Sequence, residues 1–436
     1  MYLKRRIDIE LEHWENDSSR KPLLLRGARQ VGKTEAVREF GKRFKNFVEI
    51  NFEIDKKVHS IFENSLNPYE ICENLSLLYN ISIIEGETLL FLDEVQASLP
   101  AIQSLRFFYE RMPNLHVIAA GSLLEFALNE IPTFGVGRIR SIFMYPMSFN
   151  EFLLALGEEK LLKKRQSSTS RNPLPQILHE KLLELLKKFI ILGGMPEVVR
   201  NYAEYKDFNR CKLVLNDLVN SFNDDFAKYK NRVPVSRLRD VFESVVKQTG
   251  GKFIFSKAGH GNHIQLKEAL DLLILAGIVI PVVHTSSNGL PLSAEVNPKK
   301  QKMILFDTGI FQRVLNLDLS EFIFSDSFSS INKGNLAEAF VGLEMTKYQS
   351  VYEKQKLYYW HREAKNSNAE IDFVFAKSNT IYPVEVKAGT KGSMQSMFLF
   401  LKEKKLKTGI RISDENFSQF ENIKVYPIYA VENILK

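Results

Sequence analysis

The chain has little sulfur and no apolar run of membrane length. Its two cysteines, Cys72 and Cys211, sit in no ligand-spaced pattern, so a disulfide framework and a cysteine zinc site are both excluded and a reducing compartment is expected. The longest apolar stretch, Leu272 to Val283, is too short to span a bilayer and is interrupted by Gly277 and Pro281. The opening MYLKRRIDIELEHW is positively charged but has no apolar segment behind it, so no export signal is expected. Neither sign of charge dominates. Against 52 acidic residues stand 59 lysines and arginines, and the net charge of +7 permits contact with nucleic acid without demanding it. A hydrophobic share of 44% and a charged share of 25% are those of a globular protein, and 436 residues suffice for two to four domains. The expectation is a cytoplasmic protein with no membrane partner.

What is present is chemically specific. Gly27-Ala28-Arg29-Gln30-Val31-Gly32-Lys33-Thr34 fits the phosphate-cradling pattern G-x-x-x-x-G-K-S/T. It follows a short apolar run, Leu23-Leu24-Leu25, that reads as a buried strand, and it opens a segment, TEAVREFGKRF, that reads as a helix. The glycines let backbone N–H groups face a phosphate chain, and the helix dipole favours that anion. Lys33 would neutralise the β- and γ-phosphates, and the Thr34 hydroxyl would ligate Mg²⁺. A second apolar strand, Thr88-Leu89-Leu90-Phe91-Leu92, ends in Asp93-Glu94. Asp93 would hold Mg²⁺ through water, and Glu94 would polarise the attacking water. Together the two motifs predict a site for ATP with Mg²⁺.

Strands at 47–52, 88–93, 115–120 and 140–146 alternate with helices at 68–79 and 101–111, which implies a parallel sheet covered on both faces. In their order, the phosphate loop, Asp93-Glu94, Ser122 and Gly137-Arg138 resemble an AAA+ ATPase core. LLLRGARQVGKT, FLDEVQ, IAAGSLLE, GVGRIR and YPMSFNEF together resemble a bacterial and archaeal group of AAA-type ATPases. The resemblance implies that Ser122 senses the γ-phosphate; its chemistry fits a helix N-cap equally well. It implies that Arg138 stabilises charge in the transition state, in cis or from a neighbouring subunit, and a plain surface arginine is the other reading. A homo-oligomer is implied on the same ground.

Residues 160–175 (KLLKKRQSSTSRNPLP) read as a polar, basic, proline-bounded linker. Gln176 to Ile190 has leucines at helical spacing and matches the helical lid of AAA+ proteins. Three helices, at 236–248, 255–258 and 264–277, precede a hairpin at 278–307 and suggest a winged-helix-like module. Its would-be groove helix, HIQLKEALDLLILAG, offers one lysine against Glu268 and Asp271, which favours a structural or docking role over DNA readout.

Near the end a helix carrying Glu338 is followed by strands at 357–362, 370–376 and 381–387 and by a helix at 393–405. Asp372 stands mid-strand, and Glu385 and Lys387, two apart, share one face. This helix, meander and helix, with Asp and Glu-x-Lys, resembles the PD-(D/E)XK restriction-endonuclease fold. The resemblance implies that Asp372, Glu385 and the helical Glu338 hold Mg²⁺ and that Lys387 assists the attacking water. Gln395 matches an auxiliary polar position, and the usual proline before the first Asp is replaced by Glu370-Ile371.

The expected fold is therefore α/β: a P-loop AAA+ core with a parallel sheet at 1–158, a helical lid at 176–230, a winged-helix-like module at 231–325 and a nuclease-like domain at 326–436. The expected function is ATP hydrolysis that gates Mg²⁺-dependent cleavage of nucleic acid, DNA foremost. The alternatives are an ATP-dependent switch whose rear domain binds DNA or a protein without cutting, and a housekeeping ATPase with a structural tail.

Overall fold

In the computed structural model the described residues are 2–122, 124–130, 137–229, 232–316, 333–364, 367–387 and 394–436. Parts of the sequence motifs, Leu123 and residues 131–136, lie outside them, as do the junction at 317–332 and residues 388–393. The chain divides into two compact units: residues 1–146 with 275–277 and 350–354, and residues 147–274, 278–349 and 355–436.

The first unit is built on five parallel strands: β1 (Leu23–Arg26), β2 (Asn46–Asn51), β3 (Thr88–Asp93), β4 (His116–Ala120) and β5 (Arg140–Phe143), in the order β2-β3-β4-β1-β5. Every residue of β3 and β4 is buried, as central strands covered on both faces must be, which is why they read as unbroken apolar runs rather than alternating ones. Leu24, Val48, Ile50, Leu90, Leu92, Val117 and Ala119 share a core with α3 (His59–Asn64), α4 (Pro68–Tyr79) and α5 (Leu99–Arg111). On the N-terminal side, α1 (Arg6–Glu15) sets Trp14 edge-on to His116 and tilted against Phe40 of α2 (Lys33–Gly41). The strand inserted between the phosphate-loop strand and the carboxylate strand is β4, which comes after β3 in the chain.

The second unit has an eight-stranded mixed sheet: β6 (Val279–Thr285), β7 (Val296–Leu305), β8 (Leu357–His361), β9 (Glu370–Lys377), β10 (Thr380–Val386), β11 (Gly409–Ser413), β12 (Ser418–Phe420) and β13 (Ile423–Pro427), in the order β12-β13-β11-β10-β9-β8-β6-β7. The strands β8, β9 and β10 form an antiparallel meander, and β11 runs parallel to β10. The hairpin β6–β7 joins this sheet through a parallel pairing of β6 with β8. The hairpin expected to belong to a separate winged module and the strands of the C-terminal region thus share one sheet. Ahead of the hairpin stand α12 (Val235–Lys247) and α13 (His263–Leu275), while 255–257 forms a single 3₁₀ turn where a third helix was expected.

The helices read as a lid, from α9 (Gln176–Leu192) through α10 (Pro196–Tyr205) to α11 (Phe208–Asp225), pack within this second unit. Phe189 meets Phe340 edge-on, and His179 shares a hydrogen bond of 2.7 Å with the Tyr429 hydroxyl. The break after α9 depends on Gly193, whose φ is +75° and whose missing Cβ would lie 2.2 Å from Asp307 Oδ1.

Residues 160–175 are not simply a linker. The run EKLLKKRQ forms a helix, α8 (Glu159–Gln166), whose Leu161, Leu162 and Arg165 are buried. Arg165 is fully buried and donates to Glu432 and Asn433, each at 3.0 Å, and to Asn150. The basic composition looked solvated because one buried guanidinium cannot be told from its exposed neighbours without its distant carboxylate. Arg165→Met leaves Glu432 without that partner and is expected to cost about 3–5 kcal/mol. Thermal unfolding should show a melting temperature several degrees lower; an unchanged midpoint would mean that this network adds nothing to stability.

Candidate functional site

The phosphate loop leaves β1 at Gly27. There the chain passes so close to Met144 that a Cβ would lie 2.1 Å from the Met144 carbonyl oxygen. The approach is fixed by a ladder bond from Met144 N–H to the Arg26 carbonyl at 2.8 Å. The loop closes at Gly32, whose φ of +93° places it in the left-handed region as the N-cap of α2. The first N–H groups of α2 therefore point out of the helix end, the geometry that suits an anion.

Lys33 is buried, and its ammonium donates to the carbonyls of Gly27 at 3.0 Å and Ala28 at 2.8 Å. Burial, only partly opposed by Glu94 and Asp93, lowers its pKa to about 8. Thr34 Oγ1 donates to Asp93 Oδ2 at 3.0 Å, and Asn51 Nδ2 reaches the same oxygen at 3.4 Å. Burial and the adjacent Glu94 raise the Asp93 pKa to about 6, against the hydrogen bond from Thr34. The two residues read from sequence as holders of one Mg²⁺ thus meet, although 59 positions separate them.

Glu94 adopts a left-handed backbone with φ of 49°, an unusual conformation for a side-chain-bearing residue at the end of a strand. Its carboxylate accepts from Gln96 Nε2 at 2.6 Å. Ser122 lies just past the end of β4, between the strands that carry the loop and the carboxylates, and its buried Oγ has no hydrogen-bond partner among the described residues. A buried ammonium held by carbonyls, a threonine hydroxyl on a carboxylate and an orphaned serine hydroxyl fit a nucleotide triphosphate with its Mg²⁺.

Arg138 is elsewhere. It precedes β5, whose first residue Arg140 pairs with Leu23 at the start of β1, whereas the loop leaves the opposite end of that strand. Its guanidinium forms a 2.5 Å ion pair with Glu110, near the end of α5. Strand polarity thus puts Arg138 at the end of the sheet away from the phosphate loop, and the described residues of the chain do not bring it together with Lys33, Thr34 and Asp93.

Sequence reasoning missed Arg5. Its buried guanidinium donates to Val31 O and to Tyr145 O, both at 2.8 Å, and so ties the phosphate loop to the segment after β5. Nothing local marks it, since it sits in a run of charges, Lys4-Arg5-Arg6, that looks solvated.

In the second unit, Asp372 on β9 accepts the Val386 N–H at 2.7 Å, and Glu385 on β10 forms a 2.6 Å ion pair with Lys387. The other oxygen of Glu385, Oε2, is buried and has no hydrogen-bond partner among the described residues. Glu338 is engaged differently from the sequence expectation. Its carboxylate is bonded at 2.8 Å to the buried ammonium of Lys302, which also meets Glu370 at 2.5 Å and lies 5.2 Å from the centre of the Tyr359 ring. Burial raises Glu338, and Asp372 adds to it; burial likewise raises Asp372 and Glu385. Burial works against the charge on Lys302, but Glu338, Glu370 and Asp372 overcome it and hold its pKa above the usual lysine value. Among the described residues no three His, Cys, Asp or Glu side chains converge where a metal ion could sit. Of the three residues read from sequence as ligands, Glu338 is paired with Lys302 of β7, whereas Asp372 and Glu385 stand on neighbouring strands of the meander. Gln395 stands exposed at the first turn of the helix Gln395–Glu403.

No helix among the described residues is long and apolar enough to cross a membrane. Three family models match the chain. One described as an AAA domain covers residues 19–153, and two described as domains of unknown function, DUF8612 and DUF4143, cover 183–321 and 333–431. No protein of curated function matches it. Among solved structures, the Orc1 protein of Aeropyrum pernix in complex with DNA is similar at 13% identity, over 74% of this chain and 95% of that one, with a TM-score of 0.31. Protein VC1899 from Vibrio cholerae is similar at 11% identity, over 95% and 96%, with a TM-score of 0.19. The AAA match over 19–153 agrees with the five-stranded parallel sheet and the phosphate loop of the first unit.

Proposed function

We propose that the first unit hydrolyses ATP and that the chain is an ATP-dependent switch whose second unit binds nucleic acid, DNA foremost, or a protein partner. The observation that carries the ATPase reading is the meeting of Thr34 with Asp93, beside Glu94 and a buried Lys33. Thr34 and Asp93 would hold Mg²⁺, which when bound would supply neutralisation of phosphate charge. The loop N–H groups and Lys33 hold the phosphates, Glu94 orients the attacking water, and Ser122 Oγ is the donor available toward the γ-phosphate. In a homo-oligomer, Arg138 of one subunit would face the site of the next and stabilise the charge that develops there.

For the second unit, the helix with Glu338, the meander β8–β10, the helix 395–403 and the parallel β11 support a nuclease-like PD-(D/E)XK fold. Lys302 on Glu338 favours binding without cleavage. Gated Mg²⁺-dependent cleavage is the second reading, favoured by the orphaned Glu385 Oε2 beside Lys387 and Asp372. Incubation of the full chain with Mg²⁺ or Mn²⁺, with and without ATP, on single- and double-stranded DNA and RNA tests both. ATP turnover with intact nucleic acid is the expected result. Cutting that Lys387→Ala abolishes while ATP turnover persists would establish the second reading instead.

A further inference from the structure

The second unit carries a cation of its own where a nuclease-like site would take a metal. Four carboxylates gather around the open end of β9 and β10: Glu338, Glu370, Asp372 and Glu385. Glu338 and Glu385 are buried. Asp372 acts electrostatically on Glu338 and on Glu385, so the four form one field rather than separate pairs. Such a group is stable only if cations answer it, because an uncompensated buried carboxylate is costly.

Two lysines pair with it directly, while Arg411 acts on Glu385 and Lys252 on Glu370 from further off. Lys387, at the mouth, holds Glu385, while Lys302 comes from β7, at the other edge of the sheet order, and is 1% exposed. Its ammonium bridges Glu338 and Glu370 at 2.8 and 2.5 Å and is capped by the ring of Tyr359. A lysine bridging two carboxylates under an aromatic ring sits in a dry, satisfied place, as a structural counter-ion does. Glu385 Oε2, by contrast, is buried with no hydrogen-bond partner among the described residues, and it marks where the field remains unanswered.

We infer that Lys302 is the resident cation of this site: its ammonium takes Glu338 out of the ligand set and keeps a divalent ion from binding. The inference rests on reading the second unit as nuclease-like. It makes the β6–β7 hairpin, which lies outside the meander, part of the site. Removing the ammonium releases Glu338 and Glu370 from their shared buried partner and leaves Lys387, with Arg411 acting on Glu385 and Lys252 on Glu370, to answer four carboxylates, a field that a divalent cation would complete.

The test is Mn²⁺ binding to nucleotide-free full chain in an Asp93→Asn background, which removes the carboxylate of the ATP site. Free Mn²⁺ is followed by electron paramagnetic resonance. The parent should bind Mn²⁺ weakly or not at all, as should Lys302→Arg, which keeps the cation. Lys302→Gln should gain one site per chain, at least about tenfold tighter, and lose it again when Glu385→Gln is added. Should Lys302→Gln fold poorly, its melting temperature should rise with Mn²⁺ while that of the parent does not. Tight Mn²⁺ binding by the parent that depends on Glu385 and is unchanged by Lys302→Gln would overturn the inference and leave the nuclease-like reading standing. No site and no Mn²⁺-dependent melting shift in any variant would overturn both.

Discussion

Replacing Glu94 by glutamine is expected to leave ATP binding within about threefold of the parent while lowering turnover about 100- to 10,000-fold, the range that a general base contributes. The substitution removes the charge that draws a proton from water and little else. The glutamine side-chain oxygen can still accept the bond that Glu94 takes from Gln96 Nε2 at 2.6 Å, so the strained turn at the end of β3 keeps its support. Nucleotide affinity should change little, because Thr34 and Asp93 meet each other rather than Glu94, and Glu94 acts on Lys33 only through its charge. Titration with a fluorescent ATP analogue and single-turnover hydrolysis separate the two effects. Hydrolysis undiminished by Glu94→Gln would sink the assignment of the water-orienting role; lost binding would make Glu94 part of the nucleotide pocket instead.

Lys33→Ala removes the buried ammonium that would face the phosphates, and the expected loss is about 2–5 kcal/mol, or about 30- to 5000-fold in Kd. The same residue predicts a pH dependence. In the folded chain its pKa is lowered to about 8 from the usual 10.5, because burial disfavours the charged form. Between those values the unfolded chain binds more protons than the folded one, so the stability cost of the buried charge is present below about pH 8 and fades as pH rises. ATP binding has the opposite dependence. Phosphate restores the reason to be charged, so affinity should fall as pH rises above about 8, with proton uptake on binding. In Lys33→Ala the affinity should fall by that factor and this slope should vanish. A Kd for the parent that is flat from pH 7 to 9.5 would place the ammonium away from the phosphates.

The two readings of the chain's chemistry differ in how local their signals are. The phosphate loop is one continuous octapeptide, and Asp93-Glu94 closes one continuous strand, so residue type and spacing announce them. Glycine at 27 and 32 is demanded by backbone approach and by a positive φ that other residues rarely adopt. The Glu-x-Lys of β10 is equally local, and the 2.6 Å pair of Glu385 with Lys387 is what period-two geometry requires of neighbours on one face.

Signals of long sequence separation were not legible. Arg5 reaches Tyr145 across 140 positions, and Lys302 reaches Glu338 across 36. Both are cations in segments whose composition predicts solvent, and burial reverses their meaning. Arg165 is the third such case, with its carboxylate 267 positions away. The sheet order is a further instance. The strands of the first sheet can be read from apolar or alternating runs, but that β4 lies between β1 and β3, and that β6 lies beside β8, depends on which edges find partners.

Local sequence alone therefore determined an α/β chain with a phosphate-loop motif in its first third, because the motif's chemistry is carried by adjacent residues and by backbone freedom. Folding decided which carboxylates find a lysine: Glu338 and Glu370 meet Lys302, and Glu385 meets Lys387. A charge has no fixed role until burial removes its water and leaves one partner within reach, and for Glu338 that partner is a lysine.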